Sequence, residues 1–419
     1  MSPNESPKLQ TPMKLATLPS PFNRLAWANL AAQSAEQVSL AAVPIVAVLA
    51  LGAGPGEIGA LATMQTLPFL LLSIPAGLLA DRWSRRHLMV LAEGVRAAAL
   101  LALLLATVAG QLSFALLALL GFMGASGTVG FSVAAPALVP SLVPANALAA
   151  ANGRLELARS IAYAAGPALA GALVAWAGAS SAFVLAAILS AAALVLLLRL
   201  PEGAASPARP RKVMDELRHG AGLVWQHDLL RPILLTAIAW NVAWFILQAA
   251  YVPYAMKSLG LDAGGVGLTL ACYGTGMVLG ALFAPRVMRA VSFGSAILLG
   301  PFMSVAASLV MVASLWWPSG VLAAASFFLF GVGPIIWTIS STTLRQTVTP
   351  RAVLGQVSAI FLTVNMGARP LGAALGGLIG SAWGEAACLA AAALGFAVQA
   401  AIIASSAVRT LRELPAAAA

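Results

Sequence analysis

The chain has 419 residues, of which 61% are hydrophobic and only 9% are charged. Because soluble domains carry about 25% charged residues, this composition excludes a soluble globular protein and indicates a polytopic membrane protein. The net charge of +10 is scattered through short loops, so it does not predict nucleic-acid binding, and Cys272 and Cys388 form no CxxC motif or disulfide framework.

The first half of the chain contains six apolar runs after a polar, proline-bearing start. The first 20 residues show no cleavable signal peptide, so we expect the N-terminus to remain in the cytoplasm. Each run is long enough to cross the ~30 Å hydrocarbon core of a bilayer as a helix. These runs, numbered spans one to six, lie near residues 25–50, 57–80, 88–109, 112–139, 148–176 and 180–199.

A second set of six runs follows the only long polar stretch. Within that stretch, VMDELRHGAGLVWQ predicts a short amphipathic helix on the membrane surface. Spans seven to twelve lie near residues 231–256, 264–284, 293–315, 319–343, 354–382 and 386–408. The predicted organisation is a cytoplasmic tail (1–24), a six-helix bundle (25–200), a cytoplasmic linker (201–230), a second six-helix bundle (231–408) and a cytoplasmic C-terminal tail (409–419).

Lys and Arg residues predict the orientation of the chain in the membrane. With the N-terminus inside, all but five of the 23 basic residues lie in the tails and the even-numbered loops. The exceptions are Lys257 in an odd-numbered loop and, within spans, Arg96, Arg154, Arg159 and Arg369. This asymmetry predicts that both termini are cytoplasmic.

The two halves carry a repeat. The span-five segment VPANALAAANGRLELARSIAYAAGPALAGALVAWAG has a counterpart in span eleven, TPRAVLGQVSAIFLTVNMGARPLGAALGGLIGSAWG, about 203 to 206 residues later. Repeated six-helix halves are typical of secondary transporters, in which one half moves against the other around a central site. We therefore predict an all-α membrane protein with twelve transmembrane helices in two pseudo-symmetric bundles.

The loop between spans two and three reads GLLADRWSRRH and resembles the signature of the major facilitator superfamily, Gly-x-x-x-Asp-Arg-x-Gly-Arg-Arg/Lys. The residues that fit it are Gly77, Asp81, Arg82, Arg85 and Arg86. The resemblance extends over the whole chain and implies that Asp81 meets the positive N-terminal end of span eleven, as a clamp worth about 1 to 3 kcal/mol between the halves. The alternative, positive-inside anchoring, explains Arg85 and Arg86 but not Asp81.

Two segments, PSLVPANALAAANG and LGQVSAIFLTVNMGARPLGAALGG, resemble the exporter branch of this superfamily that includes enterobactin and macrolide exporters. Span five carries a further family feature, which favours export over uptake. Exporters of this kind show Gly-x8-Gly-x3-Gly-Pro-x2-Gly-Gly there, a glycine-lined kink that faces the other half. Gly153, Gly166, Pro167 and Gly171 match this pattern. The alternative is ordinary packing of helices through small residues.

The resemblance also implies that spans one, four, seven and ten line a central cavity. Span seven presents Asn241, Trp244, Phe245 and Gln248 on one helical face, at i, i+3, i+4 and i+7. We expect Trp244 either to stack on a substrate or to pack between helices. Nearby tyrosines, at 251 and 254, are expected in an interfacial aromatic belt.

Charges within spans are functional candidates, because an ionised group at a helix centre costs at least about 2.5 to 3.5 kcal/mol. Glu36 lies halfway along span one on a polar face with Asn29, Gln33 and Gln37. We expect Glu36 to carry the coupling proton and Arg369, in span eleven, to attract an anionic, catecholate or carboxylate group, as on a siderophore. The alternative is that Glu36 and Arg369 neutralise each other, or neutralise Glu156 and Arg159, in a purely structural role.

Two further pairs of charges lie three residues apart within spans. Glu93 and Arg96 lie in span three, and Glu156 and Arg159 lie in span five. The arginine of proton-coupled drug exporters would fall at Leu120 and is absent. We expect Arg96 either to replace that arginine or to form an i,i+3 ion pair with Glu93. Glu156 and Arg159 are the alternative partners for Glu36 and Arg369.

No motif for catalysis, nucleotide binding or metal binding occurs in a suitable structural context. GPGEIG matches GxGxxG but joins two spans, and no GxxxxGK[ST], HExxH, Ser/His/Asp arrangement or metal-ligand spacing occurs. We therefore predict no enzyme, no cofactor other than a proton gradient, and as partners only the bilayer and a small-molecule substrate, with no nucleotide or nucleic acid. The chain is predicted to be a monomeric antiporter of the bacterial inner membrane that exports a siderophore-like compound or a hydrophobic drug or metabolite. The alternatives are uptake, facilitated diffusion or a non-transporting sensor.

Overall fold

The computed structural model describes residues 19–144, 147–201, 213–350 and 353–415, and these ranges contain helices and no strands. A short 3-10 turn, Ala407–Thr410, follows the last helix. The helices are α1 (Ser20–Leu51), α2 (Pro55–Arg82), α3 (Arg85–Val108), α4 (Phe114–Leu142), α5 (Leu148–Ala177), α6 (Ala179–Leu198), α7 (Val213–Gln226), α8 (Leu230–Lys257), α9 (Ala263–Ala290), α10 (Phe293–Ala313), α11 (Gly320–Val348) and α12 (Leu354–Ala404).

The 51-residue α12 is two antiparallel arms that meet at Gly384. The Cys388 thiol donates a hydrogen bond of 3.2 Å to the carbonyl of Gly376, whereas twelve residues of straight helix would separate these positions by about 18 Å. We call the arms α12a (residues 354–383) and α12b (residues 385–404). In the described ranges, ten helices are long and apolar enough to cross a membrane. Counting α12 twice and adding the 28-residue α2 is consistent with the twelve predicted spans.

The same glycine turn occurs at the same place in each half. Gly178 joins α5 to α6 with φ 83° and ψ 174°, and Gly384 joins α12a to α12b with φ 80° and ψ −176°. This backbone region is open almost only to glycine, because a Cβ would clash there. The matched turns extend the sequence repeat to the backbone conformation of the two halves.

Tryptophans mark the two ends of the helical bundle. We call the end at which α1 begins and α12b finishes the terminal face, and the end that holds Gly178 and Gly384 the loop face. Indoles prefer the membrane–water interface, where the ring lies in the headgroup region and the N–H reaches water. Exposed tryptophans are Trp176, Trp316, Trp317 and Trp383 at the loop face, and Trp27, Trp83 and Trp225 at the terminal face.

Glycines close the seam between the two halves toward the loop face. There α2 packs on α12a, and a Cβ added to Gly59 would lie 2.4 Å from Cα of Gly377. On the other side of the seam α5 packs on α9, and a Cβ added to Gly171 would lie 2.8 Å from Cα of Gly267. Backbones approach this closely only where neither residue has a side chain.

The seam is open toward the terminal face. Most residues of 152–157 in α5 and of 281–286 in α9 are exposed, although the same two helices are in close contact near the loop face. The interior between the halves is therefore accessible from the terminal face, which the charge distribution predicts to be cytoplasmic.

The predicted linker helix is present as α7, although the structure describes none of the side chains of residues 213–217. Val224 is buried, and a Cβ on Gly220 would lie 3.1 Å from the carbonyl carbon of Gln356. The middle of α7 thus packs on the first turn of α12a.

Gly59→Ala is expected to open the loop face. The new methyl group would overlap backbone atoms of α12a, so it destabilises the closed seam relative to a state in which α2 and α12a separate. Labelling of a Gln248→Cys reporter by a membrane-impermeant maleimide added outside intact cells should accelerate severalfold, in a Cys272→Ser, Cys388→Ser background.

Gly94→Ala is the matched control, because no atom lies within 4 Å of its added Cβ. It should leave the labelling rate unchanged. Equal rates for the Gly59 variant and this control would contradict the role of the glycine seam.

Candidate functional site

A cavity of about 290 Å³ lies between the two halves. Each of the four spans that the family resemblance implies contributes to its wall, through Glu36 of α1, Leu120 of α4, Trp244 of α8 and Phe327 of α11. Further wall residues come from α2, α3, α5, α9 and α12a. We call this space the deep cavity.

A second cavity of about 280 Å³ adjoins the deep cavity on the side of the terminal face. Its wall is built from α5, α8, α9, α11 and α12a, and so mostly from the second half of the chain. The residues shared by both walls are Tyr163, Trp240, Asn241, Tyr273 and Arg369. We call this second space the entrance cavity, since it lies where the seam is open.

Glu36 borders the deep cavity and makes no hydrogen bond or ion pair with any residue in the described ranges. Gln37 also borders it, and its side-chain nitrogen is buried without a partner. The structure does not place Asn29 or Gln33 on either wall, because they lie up to two turns nearer the terminal face. Asn29 instead donates to the carbonyl of Leu155 at 3.2 Å, joining α1 to α5.

Arg369 lies at the boundary of the two cavities, between an aromatic ring from each half. Its guanidinium carbon is 5.9 Å from the ring centroids of both Phe69 in α2 and Phe245 in α8. Its Nε donates to Oδ1 of Asn241 at 3.4 Å. No carboxylate in the described ranges pairs with it, so the structure contains no Glu36–Arg369 ion pair of the kind considered from the sequence.

Trp244 is part of an aromatic cluster and also borders the deep cavity. Its ring stacks on Trp240, with centroids 5.2 Å apart, and lies 4.9 Å from Tyr273 and 5.3 Å from Phe330. The neighbouring Gln248 reaches the same cavity wall. The alternatives of packing and substrate contact are therefore compatible at this residue.

The expectation that Tyr251 and Tyr254 lie in an interfacial belt is wrong. Both side chains are buried, and their hydroxyls bond to Thr269 and, at 2.7 Å, to Ser314. They face neighbouring helices of the second half, where a buried hydroxyl requires a partner.

Glu93 and Arg96 form a buried ion pair of 2.9 Å that belongs to a larger network. Nη1 of Arg96 also donates to the carbonyl of Ala32 at 3.2 Å, and Nη2 donates to Thr128 at 2.9 Å. Ser190 donates to the second carboxylate oxygen of Glu93. The network thus connects α1, α3, α4 and α6, and Arg96 also borders the deep cavity.

The Glu156–Arg159 pair has the same spacing but a different environment. Nε of Arg159 lies 3.0 Å from a carboxylate oxygen of Glu156, and its guanidinium lies 5.5 Å from the ring centroid of Tyr163. Both charged side chains are partly exposed, and Arg159 borders the entrance cavity. Glu156 and Arg159 thus pair with each other rather than with Glu36 or Arg369.

The signature loop is only partly described. Arg85 begins α3, and Arg86 donates to the carbonyls of Leu197 and Leu198, at 3.4 Å and 2.6 Å, at the end of α6. A cation at a helix C-terminus is favourable there. The side chains of Asp81 and Arg82, and the packing of Gly77, lie outside the described part, so the clamp remains a prediction.

The glycines of the span-five motif have different surroundings. A Cβ on Gly166 would lie 2.5 Å from Cβ of Gln37, so Gly166 faces α1 in the same half rather than the other half. Gly171 faces α9 across the seam, and Pro167 borders the deep cavity. Gly153 has no atom within 4 Å of an added Cβ, so packing does not require glycine there.

Several wall residues were missed from the sequence. Phe69, Tyr163 and Tyr273 give no contrast in hydropathy with their neighbours. Arg345 was counted only among the basic residues of the loops, although it borders the entrance cavity. For Tyr163 there was one usable signal, since it follows Arg159 by one helical turn.

The fold and the site define a class of protein: a membrane transporter with two halves around a central cavity that is open to one face. The sequence profile of the Major Facilitator Superfamily matches residues 25–373. The chain belongs to this superfamily.

Curated relatives are similar at modest identity. An enterobactin exporter, EntS, from Escherichia coli O1:K1 / APEC is 27% identical over 77% of this chain and 76% of its own length. EntS from Citrobacter koseri is 29% identical over 73% of this chain and 72% of its own length. An uncharacterized MFS-type transporter, y4rN, from Sinorhizobium fredii is 28% identical over 59% of this chain, a match that spans 63% of that relative.

Solved structures share the fold at low identity. The nucleoside transporter NupG (D323A mutant) superimposes with a TM-score of 0.72 at 14% identity, covering 92% of this chain and 99% of that one. A bacterial homologue of the iron transporter ferroportin in an inward-facing state gives 0.68 at 18% identity, covering 91% and 98%. A POT family transporter in complex with 5-aminolevulinic acid gives 0.74 at 15% identity, covering 93% and 96%.

Proposed function

We propose that this transporter exports a small organic molecule across the bacterial inner membrane by alternating access, with both termini in the cytoplasm. The substrate is a siderophore-like compound or a hydrophobic drug or metabolite. It enters from the terminal face, binds between the aromatic walls of the deep cavity and leaves through the loop face after the glycine seam opens. The protein works as a monomer and exchanges protons for substrate.

The observation that carries the proposal is the composition of the deep cavity. Glu36 and Arg369 border one apolar space, and neither is neutralised by another residue in the described ranges. An intramembrane charge facing a cavity is an expected feature of a substrate or proton pathway. The similarity to enterobactin exporters supports export.

Efflux from loaded cells tests direction and coupling together. Cells are loaded with a compound that a deletion strain accumulates, and its release is followed with and without an uncoupler. We expect release that requires the transporter and slows when the proton gradient collapses. Net accumulation driven by the transporter would favour uptake, the second candidate function, and would overturn the export proposal.

Arg369→Ala is expected to weaken the binding of acidic substrates by at least about tenfold and that of neutral analogues much less. A charge-assisted hydrogen bond contributes about 1.5–3 kcal/mol, and about 1.4 kcal/mol corresponds to a tenfold change in affinity. The measurement is equilibrium binding to the purified protein. Arg369→Lys, which keeps a positive charge, should retain part of the preference, whereas equal losses for acidic and neutral compounds would indicate a structural role alone.

A further inference from the structure

The entrance cavity has an arginine-rich wall. It contains Arg159, Arg345 and Arg369, and none of the described residues that line it is Asp or Glu. The charge of Arg159 is balanced by Glu156, which lies just outside the wall. Arg345 and Arg369 therefore remain as two cations without a carboxylate partner in the described ranges, one on the entrance side and one at the boundary with the deep cavity.

Arg345 is held in one orientation, but its hydrogen-bonding groups are not all used. Its guanidinium lies over the ring of Phe361, 4.7 Å from the centroid, which connects the end of α11 to α12a. Its Nε is buried and has no hydrogen-bond partner among the residues that the structure describes. On the same wall, the side-chain oxygen of Asn365 is also buried and also without a partner in that part of the chain.

A simpler account places Arg345 as a cation in the last turn of α11, where it favours the helix dipole. Arg289 holds the same position in the last turn of α9 with an exposed side chain, so that role does not require the Nε atom to lose its contact with water. The partly buried guanidinium of Arg345, whose Nε is buried and bonds to none of the described residues, carries a desolvation cost that the dipole does not explain. A bound anion with planar oxygen atoms would balance the charge from the cavity side, since the two terminal nitrogens of the stacked guanidinium can donate two parallel hydrogen bonds.

We propose that Arg345, stacked on Phe361, forms an oxyanion-binding subsite in the entrance cavity that captures a carboxylate or catecholate group of the substrate before Arg369 receives it. The substrates are thereby organic anions that pass from one arginine to the next. The order of loading rests on the proposed direction of transport, whereas the existence of the subsite does not.

The test compares 2,3-dihydroxybenzoate with 2,3-dihydroxybenzamide, which share a ring and two hydroxyls and differ in the charged group. Binding to the full-length protein in phosphatidylcholine nanodiscs is followed by tryptophan quenching, because Trp240 and Trp337 line the entrance cavity. We expect the wild type to bind the acid at least about tenfold more tightly than the amide. Arg345→Gln should lose about tenfold of the affinity for the acid and none for the amide, and the unchanged amide binding shows that the variant is folded.

Two matched variants distinguish the effect of an oriented guanidinium at Arg345 from the effect of positive charge in general. Arg289→Gln removes a charge from the same face and should not change either affinity. Arg345→Lys should recover only part of the preference for the acid, because an ammonium neither stacks nor donates as a planar fork. The subsite is refuted if the wild type does not prefer the acid, if both ligands lose equally in Arg345→Gln, or if Arg289→Gln has the same effect.

Two further outcomes show whether the bound anion is substrate or lipid, and whether the subsite stands without the proposed direction of transport. Loss of the acid preference in nanodiscs that contain phosphatidylglycerol would mean that a lipid headgroup occupies Arg345, which would overturn the substrate assignment. An acid preference that depends on Arg345 in a protein that accumulates substrate inward would retain the subsite and reject only the proposed export.

Discussion

Glu36→Gln should abolish transport driven by a pH gradient while substrate still binds. The carboxyl borders the deep cavity and has no partner in the described ranges, so it can exchange a proton with the cavity and respond to bound substrate. The amide keeps the size of the side chain and cannot ionise. Transport should be measured in proteoliposomes with an imposed pH gradient, and binding should be measured on the same preparation.

Glu36→Asp is the matched control for this expectation. It retains an ionisable group on a side chain that is one methylene shorter, so pH-driven transport should be reduced but present. Wild-type pH dependence in Glu36→Gln would remove the proton assignment. Loss of binding together with transport would instead mean that Glu36 contacts the substrate.

The apolar spans and their order could be predicted because the thickness of the bilayer fixes the length of an apolar helix, and the described helices are consistent with the predicted twelve. The repeat was also visible, and the matched turns at Gly178 and Gly384 follow from it. Which small residues form the seam was not predictable. Gly59 and Gly153 look alike in the sequence, yet only Gly59 meets a facing backbone, and that depends on the rotation of each helix against its neighbour.

The charged residues of the candidate site could be predicted, because a charged side chain is conspicuous within an apolar sequence. Glu36 and Arg369 were recognised for this reason, and both border the deep cavity. Side chains whose direction depends on packing were not predictable: Tyr251 faces inward rather than the interface, and Phe69 gives no signal at all. Asn29 shares a helical face with Gln37, but a face eight residues long extends beyond the cavity.

Glu93→Gln should destabilise the protein by about 3–5 kcal/mol, the range found when one partner of a buried ion pair is removed. The side chains of Arg96 and Glu93 are 4% and 0% exposed, and the guanidinium has no second carboxylate in the described ranges. The variant leaves a positive charge in the apolar interior of the first half, where α1, α3, α4 and α6 meet. Reversible unfolding in mixed micelles gives the free energy of unfolding.

Glu156→Gln is the matched comparison, which shows how much of the expected destabilisation is due to burial of the ion pair rather than to its sequence spacing. Its pair with Arg159 has the same i,i+3 spacing and the same residue types, but the side chains of Arg159 and Glu156 are 39% and 58% exposed. Partly solvated pairs contribute about 0–1 kcal/mol, so the free energy of unfolding of this variant should be close to that of the wild type.

Replacing both buried partners, as Glu93→Gln with Arg96→Met, should recover much of the lost stability, because no uncompensated charge remains. Equal effects of the two Gln substitutions would show that the network around Arg96 does not depend on its charge, and Arg96 would then be available to the cavity that it borders.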